Sequence, residues 1–512
     1  MWIPFAGSVL LFLCGSPKRG RVMAIAFSTF SLMMSILLAL QFMPSYSANV
    51  QFESVGATLS DTVRLGYVVG LDGASMLLFA MTSFIGWIAI ITAPTVFSRT
   101  NNAFYGLLLI LLGASLGVFA AQDLFLFYIF FELALIPMAF LIGIWGEEER
   151  TSATYNFVIY TLVGSLLMLV GVLTVGFTSA TLIDGVSFST HYDDLMAAAP
   201  LFQDLPVWVF GSFLLAFVIK IPLFPFHSWQ ANAYAQAPIP AVLFLAPIMV
   251  KFGSYALVRF LIPYFPVLFD AVTPWIATLA VVSILYGAMI AITATDIKKI
   301  LAFSSLSHMG FIVLGLVAWN ESSLQGSILQ MVNHGLTTAA LFLGYGYIMA
   351  SNPSRHLMDH GGVASTRPVL TTMIVIASMA SVGLPGLNGF VGEFLILSGA
   401  FDSTQLGSTL YAVLAALAVI LAAMYTLRLL KFTLFGSPQH DFQPEDTDRS
   451  TLPKGWVLGT FVVIMVWIGF QSPTFTQFSQ EWTIILLDHV QGILSTSGLS
   501  NVSPETYVPF VL

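Results

Sequence analysis

The sequence predicts an all-α, polytopic membrane protein of about fourteen transmembrane helices, with two inverted five-helix repeats that each contain a broken helix. Three observations carry this prediction. Of 512 residues, 57% are hydrophobic and 8% charged, and the mean hydropathy of +0.90 lies far outside the range of a water-soluble domain. Apolar runs of about 20 residues, long enough to cross hydrocarbon as a helix, recur with short connections. Two of these runs are interrupted by proline or glycine beside an ionisable side chain.

In chain order the expected spans are 2–16, 22–43, 67–94, 104–121, 124–145, 153–177, 206–225, 239–262, 271–294, 300–319, 324–350, 368–400, 405–433 and 454–473. The first has no basic residue ahead of it and is followed by Lys18-Arg-Gly-Arg21. Those flanks are the reverse of a signal peptide's, so it reads as a retained span. Alternating connections put Lys18, Arg19, Arg21, Arg99, Arg150, Lys298, Lys299, Arg355, Arg367, Arg449 and Lys454 on one face. The other face holds Arg64 and the acids Glu53, Asp61, Asp184, Asp193, Asp194, Asp204, Asp270, Glu321 and Asp402. By the positive-inside rule the basic face is cytoplasmic and both termini lie opposite. An energy-transducing membrane, the bacterial inner membrane above all, is the expected location.

In Phe217-Val-Ile-Lys-Ile-Pro-Leu-Phe-Pro-Phe-His227 an ammonium group precedes two prolines inside an apolar segment. Proline lacks the backbone donor and clashes with the preceding turn, so the helix should break just past Lys220. An intramembrane charge usually faces the bundle interior or water and marks a transport path. The alternative is a lysine that snorkels to the interface. In Ser381-Val-Gly-Leu-Pro-Gly-Leu-Asn-Gly-Phe-Val-Gly-Glu-Phe394, four glycines and Pro385 form the second break, with Glu393 just beyond. Five spans separate the breaks, and an odd number of spans per unit makes successive units face opposite ways, as in inverted-repeat transporters. The expected units are residues 1–103, N-terminal helices; 104–262, a first five-helix repeat; 271–433, a second; and 434–512, a loop, a last span and an amphipathic tail. That tail suits either the membrane interface or a partner subunit.

The ionisable residues read inside spans are Glu132, Lys220, Lys251 and Glu393, with His308 and His334 of related character. Glu132 has no charged neighbour in its own helix, and an unpaired buried charge costs several kcal/mol, so Lys220 is its expected partner. A lysine whose partner comes and goes is a gated proton carrier; the alternative is a static ion pair that fixes helix packing. Lys251 follows Pro238, Pro240 and Pro247. Neutral histidine both donates and accepts, which makes His308 and His334 plausible intermediates between the charges. His227, just past the first break, suits a proton-uptake group or a hydrogen bond to a helix end. Asp72 reads as a helix cap, and Glu147-Glu-Glu-Arg150 as a solvated loop.

The sequence has no phosphate-binding glycine loop, no metal-spaced histidine pair and no nucleotide fingerprint. Its single cysteine, Cys14, excludes an intrachain disulfide and a cysteine-held iron–sulfur cluster. The net charge of −8 argues against nucleic acid. No cofactor is expected in this chain, and the energy for uphill transport must come from partners.

At these residues the sequence resembles the antiporter-like, proton-translocating subunits of respiratory complex I. The likeness lies in Val69-Gly-Leu-Asp-Gly-Ala-Ser-Met76, Phe131-Glu-Leu-Ala-Leu-Ile-Pro-Met138, Lys220-Ile-Pro-Leu-Phe-Pro-Phe-His-Ser-Trp229, Ala302-Phe-Ser-Ser-Leu-Ser-His-Met-Gly310, Asn333-His-Gly-Leu336 and Leu384-Pro-Gly-Leu-Asn-Gly-Phe-Val-Gly-Glu-Phe394. The resemblance implies that Glu132 and Lys220 are a coupled pair, Lys251 a central relay lysine and Glu393 a terminal carboxylate. Glutamate at 393 matches the subunit M (mitochondrial subunit 4) group rather than the L and N groups. It also implies sister antiporter-like subunits, surrounding lipid, and flavin and iron–sulfur clusters in partner subunits. One departure stands out: where the family carries Asp and His after the tryptophan, this sequence has Asn232 and Tyr234. The same residues suit an Mrp-type cation/proton antiporter subunit, a ferredoxin-dependent photosynthetic assembly, or a structural spacer in which the buried ions only fix packing.

Overall fold

The computed structural model describes residues 1–13, 15–58, 60, 62–437 and 452–496. Cys14, Asp61, Arg449 and the end of the tail lie outside the described residues. Helices dominate, as the uninterrupted apolar runs require, because a backbone without water must satisfy its own hydrogen bonds. Among the described residues nine helices are long and apolar enough to cross a membrane, or ten with one bent pair. The expected fourteen spans also include the short helix Trp2–Leu13, the long but less apolar helix Glu321–Ser351, and the runs 206–225 and 368–400. The last of these is divided into Pro368–Ser381 and Asn388–Phe401. The two interrupted runs present only short helices, of 14 residues each.

One sequence expectation is corrected near the N-terminus. The span expected at 67–94 begins as a strand: Gly66–Leu71 pairs antiparallel with Gln51–Thr58, and the helix runs only over Met76–Val96. This hairpin marks one face of the molecule. Val69 also bridges to Ala121, and Phe188–Ser189 pairs with Val63–Arg64, so several connections are tied together there. The other face is basic. There Arg99 donates to the Trp145 carbonyl at 3.2 Å, and Arg355 pairs with Glu147 at 2.9 Å and with Asp296 at 3.3 Å.

The first broken span runs as Val207–Lys220, a non-helical turn, and Ser228–Gln236. The Phe224 N–H freed at the break donates to Ser283 Oγ at 2.9 Å, and Trp229 Nε1 donates to the Ile219 carbonyl at 3.0 Å. The backbone groups that proline strands are thus recovered from neighbours. The span Ile239–Tyr264 is fully enclosed by the rest of the protein and contains two π-helical turns, Leu245–Met249 and Leu257–Leu261. Lys251 follows the first and Arg259 sits within the second.

The tail helix Pro473–Thr496 bends by 66° from the preceding helix and packs on its own chain at the hairpin face. The Phe478 ring stacks on Phe42, and Glu481 accepts a 3.4 Å hydrogen bond from the Ala48 N–H. His489 Nε2 lies 3.3 Å from the Pro263 carbonyl. Burial lowers the His489 imidazole from its ordinary value, so at neutral pH it is uncharged and donates that bond.

Gly253 allows the enclosed span to touch the helix that carries Lys220. A Cβ there would lie 2.7 Å from the Phe217 carbonyl oxygen and 2.9 Å from the Ile221 nitrogen. Gly253→Val should therefore lower stability by about 1–3 kcal/mol through overpacking. Gly211→Ala, where a Cβ meets nothing within 4 Å, should not. Thermal denaturation of the detergent-purified variants checks the difference.

Candidate functional site

Four of the seven residues singled out from sequence meet in one buried row. Lys251 Nζ is bonded to His334 Nδ1, and it also donates to the Ala246 carbonyl at 3.3 Å. The His334 and His308 rings stand 5.5 Å apart. His308 Nδ1 lies 3.1 Å from Glu393 Oε1, a close approach that falls short of an aligned hydrogen bond. These side chains come from four helices, and all are at most 6% exposed. The row is a product of the tertiary fold rather than of any local motif.

Local sequence explains how each residue reaches it. The π-helical turn Leu245–Met249 follows Pro240 and contains Pro247, so the ladder is already interrupted where Lys251 leaves it. The Ala246 carbonyl that Lys251 binds lies within that turn. Glu393 stands on Asn388–Phe401, directly after the second break. Gly383 in that break adopts φ +80°, and a Cβ there would lie 2.6 Å from Glu393 Oε2, so only glycine leaves room for the carboxylate. An asparagine pair ties the break to the histidine helix: Asn333 Nδ2 donates to the Asn388 carbonyl at 2.7 Å.

The sequence reading did not include several partners of the row. Gln330 Nε2 donates to Glu393 Oε1 at 3.3 Å, and Ser381 Oγ lies 3.2 Å from His308 Nε2. Gln330 precedes His334 by one helical turn and so shares its face. That spacing was a usable signal.

The other three residues lie outside the row. Lys220 is 2% exposed, and its ammonium faces the Phe131 ring at 4.6 Å from the centroid. Its Nζ and Glu132 Oε1 make no hydrogen bond, and the two charges feel each other without touching. Glu132 is the penultimate residue of the helix Leu124–Leu133, which breaks at Ala134, with Ser165 in reach. His227 is half-buried, its ring stacked on Phe224 and edge-on to Tyr286.

Two further charge clusters depart from the sequence reading. Glu147 lies in a loop whose Glu148 and Glu149 are exposed, as the sequence suggests, but it also binds Lys298 at 2.5 Å and Arg355. Lys298 is itself buried and donates to the Ala235 and Ala237 carbonyls at 3.1 and 3.0 Å. This cluster holds the segment that contains Asn232 and Tyr234; Tyr234 is fully buried. The second cluster is Asp72 with Arg259, an intramembrane charge that the sequence reading passed over. Asp72 does cap a turn through Ala74 and Ser75, but its other oxygen binds Arg259. Among the described residues, no group of three His, Cys, Asp or Glu side chains is placed to hold a metal ion.

Many apolar helices, interrupted spans and a buried row of lysine, histidines and glutamate define a polytopic membrane protein with ionisable groups in its interior. The family described as NADH:quinone oxidoreductase/Mrp antiporter, TM, matches residues 121–429, and the chain belongs to that family. It is 34% identical over 433 residues to NADH-quinone oxidoreductase subunit M of Rickettsia felis, covering 84% of this chain and 85% of the relative. NADH-ubiquinone oxidoreductase chain 4 of Arabidopsis thaliana is also 34% identical, over 95% of this chain and 96% of the relative. Among solved structures, a chain of respiratory complex I from Thermus thermophilus matches with a TM-score of 0.81 at 32% identity, covering 95% of this chain and 98% of that one. A chain of the Mrp complex from Dietzia sp. shares the fold, with a TM-score of 0.80 at 20% identity over 96% of this chain and 98% of that one.

Gly383→Ala should cost about 1–3 kcal/mol of stability, because a left-handed backbone disfavours a side chain and the new methyl meets Glu393. Gly407→Ala provides the comparison, since Gly407 has φ +64° and nothing within 4 Å of a Cβ. Thermal melts should show the larger loss at 383.

Proposed function

We propose that this chain is the proton-translocating membrane subunit of a complex I-type NADH:quinone oxidoreductase, and that protons cross it through Glu132, Lys220, Lys251, His334, His308 and Glu393. The observation that carries the reading is the unbroken sequence of neighbours from Lys251 to Glu393. The relatives at 34% identity are subunits of that enzyme, which supports the assembly. On this reading the chain acts as part of an enzyme whose flavin and iron–sulfur clusters are held by partner subunits, and sister antiporter-like subunits and lipid surround it.

The geometry suits a stepwise transfer. A charged Lys251 gives its proton to neutral His334 at Nδ1, and His334 releases one from Nε2, which has no hydrogen-bond partner of its own. His308 accepts it and delivers one to Glu393, and Gln330 steadies the carboxylate that receives it. Each imidazole is left as the opposite tautomer and must exchange its protons or turn before the next passage. Lys220 acts upstream as a gated carrier. When Glu132 moves closer the ammonium is held; when it moves away the proton is released. His227, beside the first break, is the proposed uptake group. Redox energy from partner chains moves the charges that start each cycle.

The proposed units are two inverted five-helix repeats, 104–262 and 271–433. In support, the first broken span runs from the hairpin face to the basic face, while the second runs the opposite way. Placing the basic face in the cytoplasm of a bacterial cell follows the positive-inside rule and puts both termini outside.

Lys251→Met and Glu393→Gln, introduced separately into the assembled complex in sealed vesicles, should each lower proton transport by about tenfold or more, the scale lost with a proton-transfer group. Measurement of acidification together with electron transfer checks this. Normal pumping with either variant would remove the proposed path. Flavin and iron–sulfur spectra of the purified assembly distinguish the complex I reading from an Mrp-type antiporter, which lacks both.

A further inference from the structure

Besides the row to Glu393, a second way leads from Lys251 along its own helix. Arg259 lies two turns further along the same helix, about 12 Å at 1.5 Å per residue, in the direction of the hairpin face. Tyr255 lies between them. That way is filled. Phe119 and Phe127 pack around Tyr255, with ring centroids at 5.2 and 6.5 Å, and the Tyr255 hydroxyl donates to the Phe119 carbonyl at 3.5 Å.

Beyond this aromatic layer sits the Arg259 guanidinium, 0% exposed. It is bonded to Asp72 and to Gln122, and its carbon lies 3.9 Å from the centroid of the Tyr192 ring. Gln122 in turn donates to the Gly70 carbonyl at 3.2 Å. The second Asp72 oxygen accepts from the Ala74 and Ser75 N–H groups and from the Ser75 hydroxyl. The tail helix closes the site from outside, since a Cβ on Gly73 would lie 2.6 Å from the Phe478 carbonyl.

A proton hops between groups that gain and lose protons. Arginine does not lose one in a protein, whereas a buried lysine does. The layer thus ends in a charged residue that cannot relay, and the one carboxylate beside it already has its acceptor positions engaged. We propose that Arg259, locked by Asp72 and Gln122, is an insulating residue that closes the direct route from Lys251 to the hairpin face, so that a proton on Lys251 leaves only sideways through His334. The inference rests on the transport reading above and adds a barrier to it. The role differs from structural bracing in one respect: bracing needs a cation at 259, while insulation needs one that cannot deprotonate.

The test is Arg259→Lys in the assembled complex, reconstituted in sealed vesicles without electron donor. An imposed pH gradient should collapse several-fold faster than in the unsubstituted complex, and adding Lys251→Met to the same chain should restore tightness. A gradient held as long as in the unsubstituted complex, or a leak that survives Lys251→Met, overturns the proposal. Should Arg259→Lys fail to assemble, Arg259→His places a group that exchanges protons near neutral pH at the same position; it is expected to leak, and a tight vesicle again overturns the proposal. Lys251→Met alone reports separately on the transport reading. If it abolishes pumping while Arg259→Lys stays tight, only the barrier fails; if it pumps normally, the relay itself is wrong and the barrier falls with it.

Discussion

An ion taken out of water must be compensated by the protein around it, and in hydrocarbon the compensation has to come from other helices. That constraint organises this molecule. Lys251, His334, His308 and Glu393 belong to four separate helices, and none has a charged partner within its own. For Lys251 and Glu393 part of that compensation comes from helices that are interrupted where the charges emerge, whereas His308 and His334 stand on continuous helices. The π-helical turn before Lys251 leaves the Ala246 carbonyl free to accept from the ammonium. The glycines before Glu393 leave open the volume that its carboxylate occupies. Broken helices and buried charges are therefore two aspects of one structural solution.

This explains which parts of the molecule were legible in the sequence. Apolar run length and proline or glycine punctuation are local signals. They sufficed for the helical membrane fold, for both breaks and for the ionisable residues of the row. Where a residue's meaning depends on a distant partner, the sequence was silent. Glu147 and Lys298 look like loop charges, and only the fold shows that each satisfies the other. Gly66–Leu71 merges into the following apolar helix because a continuous apolar run does not distinguish strand from helix. Arg259 escaped notice because it lies near the end of a span, where a basic residue is ordinarily taken to reach water. Its burial follows from the hairpin, Tyr192 and the tail helix, which cover that end.

The tail shows the same limit in another form. Its amphipathic pattern suited either a membrane surface or a partner subunit, since both offer one apolar and one polar side. The structure uses it as a cover for this chain's own hairpin face. His489 reaches the Pro263 carbonyl, one of the acceptors that the enclosed span leaves free at its end. The tail is thereby joined to the helix that bears both Lys251 and Arg259.

Two acid–base pairs in this chain contain similar ingredients in different arrangements. Asp72 and Arg259 are bonded, and further hydrogen bonds hold them from both sides. Glu132 and Lys220 sense each other across a gap and have ring faces and a serine for company. In a medium of low dielectric constant a contact pair lies in a deep, steep well and is hard to open, whereas a separated pair lies in a shallower one and can change its spacing at lower cost. The bonded pair suits a part that must stay closed, and the separated pair suits one that must change state. Residue chemistry reinforces the division, because the closed site uses arginine, which keeps its proton, and the poised site uses lysine, which does not always do so. On the proposed reading, holding and switching are set apart twice, once by distance and once by the choice of cation.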